Sequence, residues 1–309
     1  MIRTIVTLAL SAAAPPALAA DPLVSPAELA GMLDDPSVAI IDVRSPMETA
    51  SENAYAEGHI PGAVAAPYKK AGWRAKVDGV PGQLPPVDQI GAMIAGLGVD
   101  ADDHVVIYAA GHGPKALDMG IATRVYWTFK TLGHDNVSLL DGGWKAWTDA
   151  GLPTSTEASA PATGDFVAVL RPSLYATASH AALGMTGDVD LVDTRPAAFY
   201  AGTKKSGIVA RAGAIPGAVS FPVGAMLDAE GAHFRPVDEL RATLAEIGVD
   251  PRDTQVMYCN SGHHGAIGWF VMHELLGDRS VSLYDGSMAD WAADPKRPAM
   301  PGTGPAVGG

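Results

Sequence analysis

Cysteine is almost absent from this 309-residue sequence: Cys259 is the only one. A single thiol cannot close an internal disulfide, and it excludes metal sites built from several thiolates. Positive charge is also scarce, with 21 Lys and Arg against 34 Asp and Glu and a net charge of -13. That balance argues against nucleic acid or an anionic membrane as a partner, because both are held by basic surfaces. No apolar run, the N-terminal one included, is long enough to span a bilayer. The Gly-x-Ser-x-Gly elbow of a serine hydrolase is missing. What remains is a chain with 48% hydrophobic and 18% charged residues, which folds and is long enough for two cores. Its N-terminus carries Arg3, an apolar stretch from Ile5 to Ala13, Pro15 and Pro16, and then Ala17-Leu18-Ala19. This pattern predicts a cleavable signal over residues 1–20, hence a periplasmic or secreted protein. A lone cysteine in an oxidising compartment is either buried and inert or kept for its reactivity.

The sequence repeats itself at about half its length. Ile40-Ile41-Asp42-Val43-Arg44 matches Leu191-Val192-Asp193-Thr194-Arg195, and the block Gly58 to Val64 matches Gly213 to Val219. Val106-Ile107-Tyr108 matches Val256-Met257-Tyr258, Val137 to Gly142 matches Val281 to Gly286, and Trp147 matches Trp291. The ordered blocks predict one domain per half, 21–152 and 170–309, joined by a Pro-, Ser-, Thr- and Ala-rich linker over 153–169. The Pro- and Gly-rich tail after Pro295 is expected to be loose.

Each half alternates short apolar runs with helical stretches. Val38 to Val43, His104 to Ala109 and Val137 to Leu140 read as buried strands, as do Val189 to Val192, Thr254 to Tyr258 and Val281 to Tyr284. Pro86 to Leu97, Pro236 to Ile247 and Ala266 to Leu276 read as helices, each stopped by a glycine. The alternation predicts an α/β fold: two domains, each a parallel sheet with helices on both faces. Ligands of such sheets sit at the C-terminal ends of the strands.

Cys259 stands at such a strand end. It follows Val256-Met257-Tyr258 and precedes Asn260-Ser261-Gly262-His263-His264-Gly265 and a helix. Loop N–H groups and the positive end of a helix dipole favour an anion there, whether a thiolate or a persulfide. The first half supplies a comparison: Ala109 occupies the same position, so the fold does not require a thiol in this place.

The Asp-x-Arg after the first strand, the Gly-His-Ile-Pro-Gly-Ala block, the Tyr-Cys loop, Arg124-Val125-Tyr126-Trp127 and Asp141 to Trp147 together resemble the two-domain members of the rhodanese family. The resemblance covers nearly all of the chain beyond the signal. It implies a sulfurtransferase with Cys259 as nucleophile in a six-residue loop from Cys259 to His264. A small-molecule donor leaves a sulfane sulfur on Cys259, and cyanide or a thiol removes it. The loop of Asn260, Ser261, Gly262, His263 and His264 would hold the persulfide. A protein sulfur acceptor is an open alternative, as is a non-enzymatic persulfide carrier. The Asp193–Arg195 pair matches an architectural pair, with Asp42 and Arg44 its counterparts. A longer helical insert before Leu132 also resembles the tandem members. The residues after the cysteine are neither the basic pair of thiosulfate users nor the full Gly-Ser-Gly-Val of mercaptopyruvate users, so the donor stays open between them. An arginine common in the family before the second conserved block is replaced by Phe199, and Arg211 is a candidate substrate contact in its stead.

No cofactor is implied. Cys259, His263 and His264 lie too close together in one tight loop to aim three ligands at a tetrahedral ion, so no metal is expected. His263 could bond the donor's anionic end or move a proton, or it could face solvent or cap the helix; for His264 the second role is expected. A phosphatase on a related fold needs an arginine six residues after the cysteine, where this chain has Gly265.

Overall fold

The computed structural model describes residues 20–46, 51–112, 116–250 and 252–307. Residues 1–19 of the signal peptide expected over 1–20 lie outside the described residues.

The first half forms β1 (Leu23–Val24), β2 (Val38–Asp42), β3 (Val64–Ala65), β4 (Ala75–Val77), β5 (Val80–Gln83), β6 (His104–Tyr108) and β7 (Val137–Leu140). Five of these make a parallel sheet in the order β1-β7-β6-β2-β3, while β4 and β5 pair as a separate antiparallel hairpin. The second half forms β8 (Tyr175–Ala176), β9 (Asp190–Asp193), β10 (Val219–Ser220), β11 (Gln255–Tyr258) and β12 (Val281–Tyr284). Its parallel sheet, read β8-β12-β11-β9-β10, repeats the order of the first. The repeat in sequence is therefore a repeat in topology. The central strands are rich in Val, Ile, Leu and Met because helices cover both faces and bury most of their positions.

The halves share one core. Each sheet buries an outer cluster of its own, around Trp147 in the first and Trp291 in the second. The larger cluster runs through both, from Ile107 and Val125 to Met257 and Trp269. Helix Leu117–Thr131, buried along almost its whole length, packs on helix His263–Phe270 to join them. Tyr126 meets Phe270 edge-on at 4.9 Å, a geometry that adds to the plain burial of both rings. Gly120 lets the backbones approach, since a Cβ there would stand 3.1 Å from that of His263.

The linker and the C-terminal tail are both held to the domains. The linker is bonded along the first domain: Gly164 donates to Ala95, Phe166 to Val99, Val169 to Leu132 and Arg171 to Thr131, and Phe166 enters the core. The tail is not loose either. Met300 bridges Ala214, Ala306 bridges Ser220, and Val307 donates to Ser220, so the tail covers the exposed edge of β10.

The Asp-x-Arg pairs are architectural, as expected. Arg44 forks onto Asp42 and donates to the Gly58 carbonyl at 2.7 Å; Arg195 forks onto Asp193 and donates to Gly213 at 2.9 Å. Each pair ties the end of a central strand to the Gly-x-Ile-Pro-Gly turn, with its charge neutralised inside the fold.

Candidate active site

Cys259 stands at the C-terminal end of β11, the central strand of its sheet, and is 3% exposed. Its Sγ accepts the Gly262 N–H at 3.1 Å. Gly262 has φ +90° and is the N-cap of helix His263–Phe270. The left-handed backbone requires glycine, and so does the space: a Cβ would lie 3.1 Å from both Arg124 Nη1 and Asp285 Oδ1. Loop N–H and helix N-terminus thus converge on the sulfur, the arrangement that favours an anion.

The Cys259 N–H donates to Ser287 Oγ at 3.1 Å, and that hydroxyl donates to the Tyr284 carbonyl at 2.8 Å. Ser287 holds φ +48°, an unusual conformation for a residue with a Cβ. Its counterpart after β7 is Gly143, at φ +57°. The second domain accepts backbone strain of about 1 kcal/mol at this point and gains a hydroxyl under its cysteine. The mismatch between Asp141-Gly142-Gly143 and Asp285-Gly286-Ser287 was the sequence signal for Ser287.

Residues of the first domain reach the loop. Arg74, just before β4, donates through Nη2 to the Ser261 carbonyl and through Nε to Gly82 O at 2.6 Å, and its Nη1 lies 3.1 and 3.3 Å from the ring nitrogens of His263. The Tyr68 ring packs on His263 at 5.3 Å. Arg124 and Asp285, both buried, meet at 2.5 Å behind Gly262, one from each domain. The contact is off hydrogen-bond geometry, so it acts through charge; the Arg124 guanidinium also lies over the Trp127 ring at 4.4 Å. Asp285 is fixed from the first domain as well, by the Leu84 N–H at 2.6 Å. Arg124 was visible in sequence only as part of a motif, and Arg74 and Tyr68 carried no signal, lying between the repeat blocks.

His263 neither faces solvent freely nor is placed to trade protons near neutrality. It is partly buried among Tyr68, Gly120 and Arg74, and burial, then the charges of Arg74, Arg124 and His264, hold its pKa well below the usual imidazole value. His264 lines a cleft of about 520 Å³ with Pro196, Pro222, Val223, Leu227, Asp228 and Glu230 among its walls. Asn260 keeps a buried Oδ1 without a hydrogen-bond partner among the described residues. Arg211 is placed away from a substrate role: its guanidinium donates to the carbonyls of Ala292, Asp294 and Arg297, which uses it as a clamp on the C-terminal segment. At Gly265 a Cβ would lie 2.7 Å from Leu283, so the position has no room for a phosphatase arginine. Among the described residues no group of His, Cys, Asp and Glu is arranged to hold a metal ion, and no helix is long and apolar enough to cross a membrane.

The first domain keeps the same loop scaffold without the thiol. Trp144 N and Lys145 N bond the Ala109 and Ala110 carbonyls, as Met288 N and Ala289 N bond those of Cys259 and Asn260. The N–H groups of Ala110 and Gly111 do not go empty: each donates at 2.7 Å to the buried carboxylate of Asp118. Burial raises the Asp118 pKa to about 6, against the pull of those N–H groups. The loop is an anion cradle in both halves, filled by a fixed carboxylate in one and facing a sulfur in the other.

Fold and site define a cysteine-loop sulfurtransferase. A family model for the rhodanese-like domain matches residues 25–150 and again 177–294, and the chain belongs to that family. It is 34% identical over 246 residues to the 3-mercaptopyruvate sulfurtransferase of Homo sapiens, covering 77% of this chain and 78% of that one. It is 32% identical over 251 residues to the thiosulfate sulfurtransferase of Gallus gallus, covering 80% and 82%. Among solved structures, SseA from Escherichia coli, a 3-mercaptopyruvate sulfotransferase, matches with a TM-score of 0.74 at 29% identity, covering 87% of this chain and 99% of that one.

Proposed function

We propose that the protein transfers a sulfane sulfur from thiosulfate or a related small donor, through a persulfide on Cys259, to cyanide or a thiol. The Cys259 thiolate attacks the donor's outer sulfur. The new S–S bond forms as the donor's own bond breaks, and the electron pair leaves on the remainder, sulfite in the case of thiosulfate. The acceptor then attacks the outer sulfur of the persulfide, forming thiocyanate or a new persulfide, and the electron pair of the broken S–S bond returns to Cys259 as thiolate. The observation that carries this reading is the Gly262 N–H aimed at Sγ from the cap of a helix. The first domain supports it from the other side, since loop N–H groups after Ala109, those of Ala110 and Gly111, hold a carboxylate. A donor group aimed at the sulfur before reaction need not reorganise when negative charge arrives.

The test is intact mass after incubation with thiosulfate and, separately, with mercaptopyruvate. The expected result is a gain of one sulfur, removable by cyanide or a thiol and absent in Cys259→Ser. Turnover retained by Cys259→Ser would overturn the mechanism. We further propose that the protein works outside the cytoplasm after removal of residues 1–20. Fractionation and N-terminal mass of the expressed chain test this, and an uncut N-terminus in the cytoplasmic fraction would overturn it.

A further inference from the structure

We propose that Arg74, carried by the domain without a cysteine, is a positioning residue for sulfur transfer: it aims the Ser261–Gly262 peptide at the sulfur of Cys259. This rests on Cys259 being the nucleophile.

Consecutive carbonyls of the loop are all bonded outward. That of Cys259 accepts from Met288 N at 3.0 Å, that of Asn260 from Ala289 N at 2.9 Å and that of Gly262 from Ala266 N at 3.0 Å. These three anchors belong to the second domain itself. The carbonyl of Ser261 is bonded from across the domain boundary, by Arg74 Nη2. It belongs to the peptide unit whose N–H reaches Sγ at 3.1 Å. A trans peptide is planar, with C=O and N–H pointing opposite ways, so fixing one direction fixes the other. The following residue is a glycine at φ +90°, where the backbone is freest to swing. Arg74 therefore holds the one sulfur-facing peptide that, among the described residues, the second domain leaves unanchored.

Arg74 is itself built in. Nε is held by Gly82 O, and a Cβ at Gly82 would lie 2.0 Å from Arg74 Nη2, so the hairpin backbone must close directly on the guanidinium. Nη1 sits against the His263 ring, which stays neutral there and leaves the cation undivided. A guanidinium on the carbonyl also polarises the peptide and strengthens its N–H as a donor. As negative charge gathers on sulfur, it is met through one peptide by the positive charge of the other domain.

The experiment uses the full chain with Arg74→Met and Arg74→Lys. Three quantities are measured at pH 7: the second-order rate of Cys259 alkylation by iodoacetamide, kcat and KM with thiosulfate and cyanide, and both again with added methylguanidinium. Arg74→Met is expected to alkylate about tenfold slower and to lose kcat about tenfold, with KM little changed, because the donor is misaimed rather than deleted. Arg74→Lys and methylguanidinium each restore part of both rates. A wild-type alkylation rate in Arg74→Met would overturn the proposal. So would a loss that tracks the unfolded fraction by circular dichroism and responds to neither lysine nor methylguanidinium. The alkylation arm needs no sulfur donor, so it still reads Arg74 if the wild type gains no sulfur and the transfer reading fails.

Discussion

Arg124 and Asp285 form a buried ion pair across the domain boundary, at 2.5 Å, directly behind the glycine that faces the Cys259 sulfur. The repeat makes its logic visible. Asp285 follows β12 as Asp141 follows β7, and Asp141 is met in the same way from the opposite domain, by His233 at 2.9 Å. The Asp141 pair is half-exposed and the Asp285 pair has no contact with water. The better-buried of two equivalent crossings lies under the half that keeps the cysteine.

Breaking that pair should be costly. Asp285→Asn leaves the Arg124 charge buried and uncompensated, a situation that costs about 3–5 kcal/mol. Urea unfolding of Asp285→Asn and of Arg124→Met is expected to show a loss in that range for either. A loss below about 1 kcal/mol would mean that the charge finds another partner.

A cysteine at position 109 should not create a second active site. The Ala110 and Gly111 N–H groups are already occupied by Asp118, and a persulfide placed beside that carboxylate meets like charge instead of donors. Ala109→Cys is expected to carry one cyanide-labile sulfur per chain after thiosulfate, as the wild type does. Two equivalents would show that the Asp118 carboxylate yields its place.

Acid should loosen the site through His263. Its folded-state pKa lies well below the ordinary value of about 6.5. The unfolded chain therefore binds a proton on falling through about pH 6.5 while the folded chain does not, and stability is lost as pH drops from there towards the folded-state pKa. Melting temperatures across pH 5 to 8 are expected to fall on the acid side in the wild type and to fall less in His263→Gln. Parallel curves would assign the acid loss to other groups.

Most of the fold was legible because the repeat let each half check the other. The paired apolar runs fixed the strands, and Cys259 opposite Ala109 marked the loop that became the candidate site. What the sequence hid are contacts between halves. Arg74 touches Ser261 because two helices, Leu117–Thr131 and His263–Phe270, bring the domains together in one core, and no local pattern around position 74 encodes that meeting. Short edge strands such as β1 and β8 were equally hidden, since two residues carry no periodicity. Arg211 misled for the same reason: a basic residue near the pocket in sequence was spent on carbonyls of a distant segment.

The charge of the cleft beside His264 bears on the donor. Its walls are largely apolar, with Asp228 and Glu230 as the acidic groups and no Lys or Arg among the described lining residues. Thiosulfate, a dianion, approaches such an opening against its potential, and the residues after the cysteine, Asn260 and Ser261, supply no compensating charge. Glu230→Lys is therefore expected to raise kcat/KM for thiosulfate by about three- to tenfold at low ionic strength, with the gain shrinking as salt screens it over a Debye length of about 10 Å at 0.1 M. Because Glu230 is exposed, the substitution alters the field at the entrance without disturbing a buried contact. Steady-state kinetics over a salt series check this. An unchanged kcat/KM, or a gain that salt does not diminish, would mean that the donor reaches Cys259 by a path that does not pass this cleft.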